Sequence, residues 1–263
     1  MAGGLQYAKL TDAFGYTPSA TSSAAGYGLE RLADWTSTKP LVRTWRSVGT
    51  GQQTISCNFG SSKNGTWVAL LNVNFTQVQI ATSPDPLSFT DIVTGSGTLT
   101  TRTISKDWTD PQGYYKYFLA TPYTGKAWGR IVIPAQTPTD NAGYFSIGLL
   151  AWGNNLTTMS QYFHDPLTEE YIDPEYRVDG KDWTEGTPAG IAYRNITMRN
   201  VVKDATQMEE WHAVRLLKPH TRLLWYANQD NSSEVELRER NQPARITRHG
   251  VSQEIDTGYR SLA

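Results

Sequence analysis

The chain has 263 residues, 38% of them hydrophobic, with 24 Lys and Arg set against 25 Asp and Glu for a net charge of -1. That length holds one large or two ordinary domains with a core of their own, and so balanced a charge builds no field to gather nucleic acid or an anionic membrane. Cys57 is the single cysteine, which excludes an intramolecular disulfide framework and suits assembly in a reducing cytoplasm.

In chain order, Met1-Ala-Gly-Gly-Leu-Gln6 lacks the basic and apolar regions of a leader, so Sec export is not expected. No apolar run approaches the roughly 20 residues of a membrane helix, and membrane insertion is not expected either. Residues 1–30 are dense in Ser, Thr, Ala and Gly with almost no periodic apolar pattern. They read as an extended N-terminal arm that orders along a neighbour rather than building a core.

From residue 31 to 155 the pattern is β. Trp67-Val-Ala-Leu-Leu71 is a nearly continuous apolar run, as expected of a strand covered on both faces. Val78 and Ile80 alternate with Gln77 and Gln79, and Pro84-Asp-Pro86 marks a turn. Ile131 and Ile133 alternate with Arg130 and Val132 before Pro134, and Phe145, Ile147 and Leu149 repeat the period of two. Short strands at this spacing, punctuated by Gly, Pro and Asn, predict an antiparallel β-sandwich or jelly roll.

Residues 156–190 include the acidic, Pro-interrupted stretch from Phe163 to Tyr176 and read as a linker loop. Residues 191–263 read as a small α+β module ending in a connector tail. Its strand covers Ile191 to Val202; its one helix is capped by Asp204, carries Met208, Trp211, Val214 and Leu217 on a drifting apolar stripe, and stops at Pro219. Thr221-Arg-Leu-Leu-Trp-Tyr-Ala227 and Val235-Glu-Leu-Arg-Glu-Arg240 follow as strands.

The chemistry-bearing residues form no catalytic constellation. Asp165, Glu169, Glu170, Asp173 and Glu175 could furnish the two carboxylates of glycoside hydrolysis or a Ca²⁺ site, but a Pro-broken loop does not set the separation hydrolysis needs, and the EF-hand order is absent. The reading as a solvated acidic loop is preferred. His164, His212, His220 and His249 show no zinc spacing. Gly143-Tyr-Phe-Ser-Ile-Gly148 is not a nucleophile elbow, because its Ser lies three residues after the first Gly where that motif requires two. No enzyme activity, cofactor or metal is therefore expected. The 9 Trp and 14 Tyr instead supply rigid amphipathic surface of the kind enriched at protein interfaces and on sugar-binding surfaces.

Trp45-Arg46-Ser47, Trp67 to Leu71 with Asn74, Gly129-Arg-Ile-Val-Ile133 and Phe145-Ser-Ile-Gly148, in this order, resemble the strands of galactose-binding-like jelly-roll domains in tail and baseplate proteins of long-tailed bacteriophages. The resemblance covers about the first 155 residues. It implies a structural protein of the upper-baseplate or distal-tail type at the tail tip of the virion, made in the host cytoplasm. Its implied partners are the hub, the distal tail or tail tube, and fibres. Rings of three or six copies are expected there, because interfaces around a tail axis must repeat about it. The alternative is a carbohydrate-binding module that contacts bacterial surface polysaccharide through loops at one end of the sandwich. Sugar-binding modules of this kind present an exposed aromatic beside Arg or His, and Trp35, Trp108, Tyr114 and Trp128 are the candidates for stacking on sugar or for lining an interface.

Overall fold

The computed structural model describes residues 5–33, 41, 43–106, 114–159, 168–172, 176–178, 186–188, 193–202, 206, 208–209, 213, 216–217, 221–226, 231–240, 245–249 and 252–261. The strands are β1 (Leu5–Lys9), β2 (Thr17–Ala20), β3 (Trp45–Arg46), β4 (Gln53–Val73), β5 (Gln77–Ser83), β6 (Thr90–Asp91), β7 (Thr101–Thr103), β8 (Ser105–Lys106), β9 (Tyr115–Ile133) and β10 (Ser146–Gly153). They continue with β11 (Thr157–Met159), β12 (Thr168–Ile172), β13 (Tyr176–Val178), β14 (Gly186–Pro188), β15 (Tyr193–Val202), β16 (Arg222–Tyr226), β17 (Val235–Arg240), β18 (Arg245–His249) and β19 (Ser252–Ser261). The protein is mainly β, and the strand pairings are antiparallel.

One sheet runs β3-β10-β4-β9-β5-β6, with β2 on β4, β7 on β5 and β8 on β9. Its spine is the ribbon of β4 and β9, paired from Gln53 opposite Ile133 to Val73 opposite Tyr115, with register shifts between Asn58 and Trp67. A left-handed glycine sits on each strand of that bend, Gly60 at φ 73 and Gly125 at φ 67. The shifts exchange which alternate residues point inward. Ile55, Cys57 and Phe59 face the main core before the bend, whereas Val68 and Leu70 face it afterwards. The ribbon thus supplies both walls of an antiparallel sandwich, with Trp45, Phe75, Val78, Ile80, Ile131, Ile147 and Trp152 buried between them.

The wall made by β10, the second half of β4 and the first half of β9 has a second covered face. Trp67, Ala69, Leu71, Phe118, Leu149 and Ala151 pack there against Ala8, Leu224, Tyr226, Val235 and Leu237 of the other sheet. Phe118 and Tyr226 stand 4.8 Å apart between ring centroids, and the Phe118 amide donates to the Ser232 carbonyl at 2.8 Å. Burial on both faces explains why Trp67 to Leu71 and Ile147 to Trp152 of β10 are apolar without alternation.

The second sheet runs β11-β1-β16-β17-β19-β15-β12, with β18 on β19. It corrects two expectations. The segment expected to be an N-terminal arm supplies β1, which pairs with β11 on one side and β16 on the other, and β2, which pairs with β4. Tyr7, Ala8 and Leu10 are buried. The stretch expected to be a linker contains β11 and β12, and β12 pairs with β15. In both cases the ladder partner lies far away in sequence, and distant pairing overrides a weak local pattern. Of the expected helix, Thr206, Met208, Glu209 and Ala213 are helical, Leu216 and Leu217 lie in a turn and a bend beyond its end, and its remaining residues lie outside the described set.

A clamp closes the loop between β6 and β7. Asp91 is buried and takes two N–H donors from Arg102, at 2.8 and 3.0 Å, with backbone donors from Val93, Thr94 and Thr100 at 3.0 Å each. Burial opposes ionisation of this carboxyl, but Arg102 and the three amides outweigh it and hold the pKa well below the usual carboxylate range.

Two outcomes follow from this packing. A Cβ added at Gly153 would run into the Trp67 ring, so Gly153→Ala is expected to lower stability by about 1–3 kcal/mol, read from the urea midpoint. Asp91 binds fewer protons folded than unfolded, so its contribution is complete above the unfolded pKa near ~3.9 and is lost as pH falls. Asp91→Asn is therefore expected to lower Tm at neutral pH and to flatten the fall of Tm between about pH 4 and 2, measured by thermal melts across that range.

Candidate functional site

The four candidate aromatics separate in space. Trp35 and Trp108 lie outside the described residues. Tyr114 is half-buried and packs against the cluster between the two sheets. Trp128 is half-exposed on β9, on the outward face of the wall formed by β2, the first half of β4, the second half of β9 and β5.

Alternation puts it there. Ile131 and Ile133 are fully buried in the core, and a Cβ on Gly129 would stand 2.7 Å from Trp152 Cζ2 and 2.9 Å from Phe59 Cζ. Trp128 and Arg130 must then face outward. Trp128 lies opposite Asn58 on β4 and Ser83 on β5, while Arg130 lies opposite Ser56 and Ala81. β2 adds the exposed Thr17 and Ser19 beside Asn58 and Ser56. A half-exposed indole therefore stands among amide, hydroxyl and guanidinium groups.

Arg130 is held rigidly. Its Cζ lies 3.4 Å from the Phe89 ring centroid, and its Nε donates to Ser56 Oγ at 3.3 Å. Among the described residues, its two terminal nitrogens make no hydrogen bond. Partial burial lowers its pKa from the ordinary guanidinium value, and the group stays charged at neutral pH. Phe89 follows a stapled turn. Ser83 Oγ donates to the Ser88 carbonyl at 2.8 Å, and Asp85 Oδ1 accepts from the Leu87 and Ser88 amides at 2.8 and 2.7 Å. The Ser88 and Leu87 amides hold the Asp85 carboxyl below its ordinary pKa. Leu87, at the tip of this turn, is 86% exposed.

Other clusters have structural work. Arg46 lies between Tyr27 and Tyr144, 3.9 and 4.6 Å from their centroids, and its amide donates to the Tyr27 carbonyl, tying residues 24–27 to the edge strand β3. Asn74 donates to Asp140 at 3.1 Å and to the Tyr144 carbonyl at 3.0 Å, and accepts from the Ser146 amide at 2.7 Å, knotting the loop before β10. Cys57 is fully buried, and that burial pushes its thiol pKa far up. Of the acidic stretch, Glu169 and Glu170 are consecutive residues of β12, while Asp165, Asp173 and Glu175 lie outside the described residues, as do His164, His212 and His220. Among the described residues, no three His, Cys, Asp or Glu side chains come together as a ligand set.

Sequence reasoning singled out Trp128 but missed Arg130, Phe89, Ser56 and Asn58 as its surroundings. For Arg130 the signal was present, since a period of two counted back from Ile133 and Ile131 puts Arg130 and Trp128 on the same face. For Phe89, Ser56 and Asn58 there was none, because their nearness depends on cross-strand register and on the turn after β5.

No protein-family model and no curated protein matches the chain. In shape it is similar to solved structures over a little more than half its length. One is SpGH29, with 12% identity and a TM-score of 0.41, where the match covers 56% of this chain and 28% of that chain. A second is chitosan-binding module 1 of a chitosanase/glucanase from Paenibacillus sp. IK-5, with 22% identity and a TM-score of 0.38, covering 55% of this chain and 98% of that one. A third is the lectin domain of lectinolysin complexed with Lewis B antigen, with 10% identity and a TM-score of 0.40, covering 54% and 94%. All three TM-scores lie below 0.5, and the sandwich fold is read from this chain's own strand pairing and core.

Proposed function

We propose that this chain is a carbohydrate-binding protein and that the outward face around Trp128 is its binding surface. The observation that carries the reading is a half-exposed indole flanked by a fixed guanidinium and by Ser56 and Asn58. A sugar ring has an apolar C–H face and a rim of hydroxyls. The indole stacks on the first, and the surrounding donors and acceptors hydrogen-bond the second. The contact surface is the face of a sheet with the 84–89 turn beside it, rather than loops alone. In the tail-tip setting that the phage resemblance implies, with hub, tube and fibre proteins as neighbours, the ligand is bacterial surface polysaccharide and the protein works during adsorption. That setting is part of the proposal.

A glycan array followed by saturation-transfer NMR tests the reading. Binding of at least one glycan is expected, with Trp128→Ala weakening it by about tenfold or more while circular dichroism and Tm stay unchanged. A blank array with folded protein, or undiminished binding by Trp128→Ala, overturns the reading.

A further inference from the structure

Resting on the carbohydrate-binding reading, we infer that the glycan is acidic and that its carboxylate is taken by the Arg130 guanidinium, with Lys126 as a second cation on the other side of the Trp128 ring. Lys126, Trp128 and Arg130 occupy alternate positions of β9, so they share a face, each cation about 7 Å along the strand from the tryptophan. The β4 register shift between Asn58 and Lys63 leaves β9 itself continuous from 126 to 128. Lys126 lies opposite another cation, Lys63.

Three features make this face selective for negative charge. The first is the free end of Arg130. Phe89 covers its plane and Ser56 holds its Nε, while the terminal nitrogens point to no protein acceptor among the described residues. A planar fork held in this way matches a carboxylate in bidentate fashion. The second is the absence of competing anions. On this face the paired residues of β2, β4, β9 and β5 are Thr17, Ser19, Thr54, Ser56, Asn58, Lys126, Trp128, Arg130, Val132, Gln79, Ala81 and Ser83, and none is acidic. The nearby acids are committed, Asp91 to Arg102 and the 91–100 amides, Asp85 to the amides of its own turn. The third is the chain's near-neutral charge of -1, which makes a local surplus of cations at one aromatic a feature of the site rather than of the whole surface.

Neutral sugars need only the indole and the hydroxyl and amide groups; two flanking cations without anionic partners would be costly to desolvate beneath them. An acidic sugar repays that desolvation with charge-assisted hydrogen bonds.

The test uses the full chain and isothermal titration with oligogalacturonate, oligomannuronate and hyaluronan oligosaccharides, each beside its carboxyl-reduced counterpart. At least one acidic member is expected to bind about tenfold or more tighter than its reduced form, with affinity falling as salt rises. Arg130→Gln and Lys126→Gln are each expected to reduce that preference severalfold, and Arg130→Lys to restore only part of it. Trp128→Ala is expected to weaken acidic and reduced forms together. Equal binding of acidic and reduced forms overturns the acidic assignment and leaves the carbohydrate reading standing. Acidic preference that survives both substitutions overturns the role of this face. No binding of any acidic member overturns the inference, and the glycan array then decides separately whether the broader reading falls with it.

Discussion

The structure depends on one constraint, which is that the β4–β9 ribbon must keep one face toward the sandwich core through its bend: β9 does so with odd residues throughout, Tyr117, Tyr123, Ile131 and Ile133, whereas β4 has to exchange its inward set. Between Asn58 and Trp67 the register slips, so the inward set passes from odd to even residues of β4. Without that exchange, Trp67, Ala69 and Leu71 would enter the sandwich and Val68 and Leu70 would leave it. With it, the second half of the ribbon becomes a wall covered on both sides, by the sandwich core on one and by β1, β16 and β17 on the other. The two sheets are thus joined through a shared wall of large, fully buried side chains.

The same ribbon sets the chemistry of its outer face. Before the bend, β4 keeps one face inward and leaves the other half-exposed, and on β9 the requirement that Gly129, Ile131 and Ile133 lie inward turns Trp128 and Arg130 outward. Gly129 admits the Trp152 and Phe59 rings so closely that the strand there is fixed against the core. Rigid placement matters for recognition, because groups ordered in advance spend little free energy on being ordered when a ligand arrives. Arg130 is ordered twice over, by Phe89 and by Ser56.

Apolar runs and alternation were legible where strands lie next to their neighbours in the sandwich: the double burial of Trp67 to Leu71, the turn at Pro84-Asp-Pro86, and the inward Ile131 and Ile133. They were illegible in the second sheet. Leu5–Lys9 has no pattern that marks a strand, and its partners are residues 157–159 and 223–226. Thr168–Ile172 sits in an acidic, Pro-flanked stretch and pairs with 193–197. For such strands the stabilising ladder is long-range, and a local window holds none of it. The proposed binding face was legible by half. Its aromatic stood among four candidates and its arginine two residues away, but the serines, the asparagine and Phe89 came from three other segments.

By itself, the sequence determined the mainly β class and the inward alternation of Ile131 and Ile133 on β9, because each follows from residue type and spacing within a single stretch of chain. Only the tertiary structure decided that the first strand lies between β11 and β16 in one sheet, that β4 exchanges its inward residues midway, and that Trp128 stands half-exposed beside a pinned guanidinium. Those facts are set by register between distant strands, and register is fixed when whole faces find cover, not by the residues of either strand alone.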